Sequence, residues 1–132
     1  MKTQPSTRPP KNMSVAVCTE IRGSLILTFP QNHQLSEEQT LRIQNETLMR
    51  CSLRKPAAVI FDLSALEMID LTEWEWLYKF GQSIRLMGSD AWFVGINPAI
   101  IMTLVTLGAN TQGQRYALGV EDALLLIEAP ST

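Results

Sequence analysis

Oxygen-bearing side chains gather in residues 62–72, among them Asp62, Ser64, Asp70 and Thr72. An oxygen just ahead of a helix can accept from free backbone N–H groups. The partial positive charge of the helix start would stabilise a phosphate on a nearby hydroxyl. Ser64 and Thr72 are therefore candidate phospho-acceptors, although ordinary strand-to-helix capping accounts for the same residue types. Catalytic groupings are scarcer. The one histidine, His33, stands in a polar Gln31-Asn32-His33-Gln34 turn with no nucleophile near it in sequence, and reads as an exposed loop residue. Neither Cys18 nor Cys51 has a histidine close by, and Cys18 falls in a predicted strand as a small apolar side chain. Glu73 and Glu75 are two apart on a predicted helix, so their carboxylates do not face each other. The sequence holds no G-x-x-x-x-G-K-[ST] phosphate loop, no G-x-G-x-x-G and no G-x-S-x-G. These residues predict a protein that is not an enzyme and uses no cofactor and no metal.

The elements that must position the junction follow from pattern. Residues 57–63, A-A-V-I-F-D-L, form a nearly continuous apolar run, which suits a strand covered on both faces. Asp70 can cap the next helix, with Glu73 three residues on. Leu77, Phe80, Ile84 and Met87 recur at helical spacing before Gly88 supplies the stop. Upstream, apolar runs at 15–21 and 24–29 flank Arg22-Gly23 and predict a hairpin or bent strand pair. A capping box, Ser36-Glu37-Glu38-Gln39, opens a predicted helix over 37–50 that ends before Lys55-Pro56. Downstream come a strand at 92–96, a helix at 98–107 closed by Gly108, a short strand at 116–118 and a helix at 120–128 with acids in its first turn. Strands alternating with helices define an α/β single domain over 13–129, a mixed sheet with helices packed mainly on one face.

Composition agrees. The chain has 132 residues, 45% apolar and 18% charged, which suits one globular domain and excludes disorder throughout. Eleven bases against 13 acids leave a net charge of −2, so phosphate neutralisation of a nucleic acid is not expected. Residues 1–12 hold Lys2, Arg8, Lys11 and three prolines and almost nothing apolar, and read as a disordered tail. With that +3 set aside, the remaining residues carry −5. Two distant cysteines build neither a disulfide framework nor a zinc site, so a reducing cytoplasm is expected. Residues 91–109 carry no charge and are long enough to span a bilayer. Asn97-Pro98 interrupts them, so a strand, a turn and a helix are expected rather than a membrane insertion.

Three motifs in order, D-L-S-x-L-x-x-I-D from Asp62, V-G-I-x-P-A from Val94 and T-L-x-x-L-G from Thr103, resemble the STAS family of anti-sigma-factor antagonists. The likeness runs over about residues 14–128 and points to stressosome scaffold proteins of the RsbS and RsbR type. The resemblance implies a STAS-like fold and a non-enzymatic regulatory module in the cytoplasm. Its partners would be STAS-domain paralogues and a serine/threonine switch kinase, docked at Asp62, Ser64, Asp70, Leu71, Thr72, Glu73, Trp74, Asn97, Pro98 and Thr103. The alternative it implies is an accessory subunit of a lipid or anion transport system.

One departure matters. The family normally phosphorylates the serine or threonine just after the second aspartate, and here that residue is Leu71. Either phosphorylation has moved to Thr72 or Ser64, or the protein binds constitutively and Leu71 adds an apolar contact. The second is favoured, because Thr72 is turned about 100° around the helix from that place. Trp74 and Trp76 are some 200° apart on a helix, so one is expected either to be partly exposed, as an interface anchor, or to lie flat along the groove beside the core helix. Surplus tryptophans and the high apolar fraction predict a homo-oligomer or mixed assembly. Thr103 and Thr106 read as helix-packing residues.

Overall fold

The computed structural model describes residues 17–30 and 37–128. The expected tail, His33 and the cap at Ser36 lie outside the described residues, as does the Cys18 side chain. Five strands and four helices follow in the expected order: β1 (Val17–Ile21), β2 (Ser24–Thr28), α1 (Glu37–Arg54), β3 (Ala58–Asp62), α2 (Leu71–Leu86), β4 (Asp90–Val94), α3 (Pro98–Thr106), β5 (Arg115–Ala117) and α4 (Val120–Glu128).

Arg22 and Gly23 both adopt positive φ, 51° and 81°, the two-residue geometry that matches the twist of a hairpin. They turn β1 antiparallel onto β2, pairing Ile21 with Ser24 and Val17 with Thr28. All later pairs are parallel, as helical crossovers dictate, and spatial order repeats chain order from β1 to β5. The mixed sheet is the expected one.

β2, β3 and β4 are buried on both faces, which their unbroken apolar sequences anticipate. Leu25, Leu27, Val59, Phe61, Ala91 and Phe93 look toward α1, α2 and α3 in the larger core. Ile26, Ala58, Ile60, Trp92 and Val94 look the other way, where Ala123 and Leu124 of α4 cover them. Three helices thus share one face, and the fourth closes the other. α1 runs four residues past the expected end, to Arg54, because Lys55 takes φ 48° and stops it only there. The strand expected at 92–96 begins and ends two residues earlier, since Asp90 pairs with Ala58 and Gly95 turns the chain. Among the described residues, no helix is long and apolar enough to cross a membrane.

Candidate functional site

The junction of residues 62–72 lies at the carboxyl edge of the parallel strands, where open α/β sheets bind ligands and partners. Asp62, half-buried at the end of β3, organises the loop. Its Oδ1 accepts from the Ser64 backbone N–H at 3.1 Å and from the Ser64 hydroxyl at 2.7 Å. The Leu63 N–H donates to the Val94 carbonyl at 3.0 Å, tying the loop to the next strand. Leu63 and Ile69 enter the core, while Ser64, Ala65, Glu67, Met68 and Asp70 stay at the surface. Met68 is 78% exposed, a large apolar side chain at the loop surface that the sequence reading passed over.

Asp70 caps α2 as expected. Its Oδ1 accepts from the Glu73 N–H at 2.7 Å, and Glu73 Oε1 accepts from the Asp70 N–H at 2.8 Å. This reciprocal pair satisfies two donors of the helix start and leaves the N–H groups of Leu71 and Thr72 outside the intrahelical ladder. Leu71 is half-buried and Thr72 exposed.

α3 starts beside this loop. Asn97 caps it by accepting from the Ala99 N–H at 2.9 Å, and Pro98 takes the first helical position. Both are exposed. Gly95 sets how closely the two junctions approach. It has φ 75°, and a Cβ there would stand 2.7 Å from Ser64 Cβ and 3.0 Å from Ser64 Cα. Its role in seating Ser64 was missed. The glycine within V-G-I-N-P-A was the available signal, but its contact is 31 residues away in sequence. Thr103 and Thr106 are exposed instead of packed. Their hydroxyls donate within α3, to the carbonyls of Ala99 at 3.0 Å and Met102 at 2.9 Å.

The two tryptophans correct the expectation of an exposed anchor. Trp74 is 1% exposed and Trp76 5%. Both are buried because α2 has material on both flanks as well as the sheet beneath. Trp76 packs against Phe29 and Phe80, with centroids 6.4 and 5.5 Å away. Trp74 packs against Phe93 at 5.4 Å and donates its indole N–H to the Asn110 carbonyl at 2.9 Å, in the loop after α3. Trp74 and Glu73, both expected among the docking residues, therefore lie behind the surface and support it. The accessible set is Ser64, Asp70, Thr72, Asn97, Pro98 and Thr103, with Asp62 and Leu71 half-covered.

The surface has one sign of charge. Residues 56–78 hold Asp62, Glu67, Asp70, Glu73 and Glu75, and neither lysine nor arginine. Outside it, burial pushes the Tyr116 phenol up to about 12, helped by Tyr78 and opposed by Arg85. Tyr116 is thus a neutral donor at ordinary pH, bonded to the Thr111 carbonyl at 2.7 Å. Among the described residues, no group of three or more histidine, cysteine or acidic side chains could hold a metal ion.

The family model of the STAS domain matches residues 16–122, and the chain belongs to that family. It is 32% identical over 101 residues to the RsbT co-antagonist protein RsbRC of Bacillus subtilis. That match takes in 72% of this chain and 36% of RsbRC, so the chain spans about a third of that relative. Among solved structures, a serine-to-glutamate variant of RsbS from Moorella thermoacetica superposes with a TM-score of 0.72 at 20% identity, over 86% of this chain and 94% of that one. A chain from the stressosome, described as a signal integration and transduction hub, gives 0.70 at 21% identity, over 85% and 96%.

Proposed function

We propose that this protein is a non-enzymatic scaffold of the stressosome type. In this reading it assembles with other STAS domains and docks a switch kinase at the surface formed by residues 62–72 and the start of α3. The observation that carries the reading is Leu71. It stands half-buried in the first turn of α2, at the place where the family carries its phosphorylated hydroxyl, beside the exposed Ser64, Asp70 and Thr72. An apolar side chain there leaves docking without its usual off-switch. The neighbouring hydroxyls make poor replacements. That of Ser64 is held by Asp62, and a phosphate on either Ser64 or Thr72 would enter an acidic stretch, residues 56–78, that holds no lysine or arginine to receive it. The same charge favours a partner with a basic docking face. The kinship with RsbRC, an RsbT co-antagonist protein, supports RsbT or a protein like it as that partner.

The test is co-elution with purified RsbT, with and without magnesium ATP, for the parent and for Leu71→Ser. The parent is expected to bind in both conditions and to gain no phosphate. Leu71→Ser is expected to gain one phosphate and to release the kinase when ATP is present. Failure of the parent to bind overturns the docking role. Stoichiometric phosphate on Thr72, read by mass spectrometry, overturns constitutive binding.

A further inference from the structure

We propose that the segment ahead of β1, residues 1–12, docks across the 62–72 loop and the first turns of α2 and shields that face from other partners. Topology brings the two together. β1 runs antiparallel to the other strands, with Val17 paired to Thr28 and Thr28 in turn to Asp62. The chain ahead of Val17 therefore meets the sheet at its carboxyl edge, two strand spacings, about 10 Å, from Asp62. Residues 1–16 lie outside the described residues, and their only charges are Lys2, Arg8 and Lys11. At about 3.3 Å per extended residue, Lys11 can stand up to about 20 Å from Val17 and Arg8 up to about 30 Å. Both spans take in the loop and the start of α2.

The face it meets has one sign of charge for a structural reason. Every helix that follows a parallel strand starts at this same edge, and helix starts favour acids. α1 opens on Glu37 and Glu38, and α4 on Glu121 and Asp122. Residues 56–78 add five acids and no base, so nine of the chain's thirteen acids gather at this edge. The helix ends put Arg54 and Arg85 at the other. Among the described residues, Asp62, Glu67, Asp70 and Glu75 form no ion pair. Interleaved with them stand Met68, 78% exposed, and the half-buried Leu71, apolar ground on which Pro9 and Pro10 can pack. A short tether holds the bases at about millimolar effective concentration, so an attraction too weak to retain a free peptide still occupies the face. A basic partner must then displace the segment. That regulatory consequence rests on the docking role proposed above, whereas the contact itself does not.

Amide NMR of the full chain tests the contact, comparing the parent with the triple variant Lys2→Gln/Arg8→Gln/Lys11→Gln. At an ionic strength of about 10 mM the two are expected to differ at Ser64, Glu67, Met68, Asp70, Thr72 and Glu75, whatever the protein concentration. Sodium chloride at about 0.5 M should bring the parent's shifts onto the variant's, because the Debye length falls to a few ångströms. With the exposed Glu67 and Glu75 also changed to Gln, neutralising the segment should move these amides little. The triple variant should bind RsbT about threefold more tightly, as expected if the segment covers the face about two-thirds of the time. Identical shifts in parent and triple variant overturn the proposal. So does a difference that grows with protein concentration, which would put a second copy on the face. Equal RsbT affinities despite a shift difference overturn the shielding. If the shifts respond while neither form binds RsbT, the docking role fails and the contact stands. If both forms bind RsbT alike and the shifts do not respond, the contact fails and the docking role stands.

Discussion

Ser64 is fixed from two sides, by the Asp62 carboxylate that takes its hydroxyl and N–H, and by Gly95, which leaves no room for a Cβ between them. Gly95→Ala should therefore be costly twice over. The left-handed backbone disfavours alanine, and the new methyl would meet the Ser64 backbone, for a combined loss of about 3 kcal/mol. Gly113→Ala isolates the first part. Gly113 has nearly the same φ, 76°, yet open space around its missing Cβ, so urea denaturation should show a loss of about 1 kcal/mol. Equal losses at the two sites would mean that the contact with Ser64 is unimportant. At this scale the Asp70–Glu73 pair was readable from spacing alone, whereas the bonds of Asp62 to Ser64 and of Asn97 to Ala99, though as local, needed the loop geometry to appear. The sequence was unreadable where a residue answers to something distant, as Gly95 answers to Ser64 and Trp74 to Asn110.

Helix α2 carries the proposed docking turn, and its start is held by a local device independent of the sheet. Asp70→Ala removes the carboxylate that receives the Glu73 N–H and should destabilise the fold by about 1 kcal/mol, whereas Asp70→Asn should remain close to the parent. Equilibrium denaturation checks both; a harmless Asp70→Ala would mean that the loop alone fixes the helix start. The elements themselves were legible in order and type because their periods differ sharply. Unbroken apolar runs made β3 and β4, and Leu77, Phe80 and Ile84 marked the inner stripe of α2. That stripe did not reveal how wide the buried arc would be. A period identifies the face on the sheet, but the flanking supports, Phe29 on one side and the loop at Asn110 on the other, come from remote segments. α1 was harder still, since its buried face is Thr40, Gln44, Thr47 and Cys51, with little apolar signal to trace.

Over the whole molecule, the three tryptophans, Trp74, Trp76 and Trp92, divide between two cores and none is more than 6% exposed. Native fluorescence is accordingly expected to be blue-shifted and to resist quenching by acrylamide, with exposure appearing only on unfolding. A strongly quenched native component would place one indole at the surface after all. The α/β architecture was readable from element order, as was the sharing of one face by most helices. The isolation of α4 on the other face was not, because a final amphipathic helix can pack on either side of a sheet.

That last helix has a consequence for synthesis. Each strand lies beside the one made just before it, so a ribosome can release a growing sheet whose ladders close as they emerge. The lining of the second core, from Ile26 to Val94, is then complete well before Ala123 and Leu124 arrive to cover it. Until translation reaches the final turns, the nascent domain exposes a greasy flank, and premature termination there would yield a sticky fragment for the cell's quality control to remove.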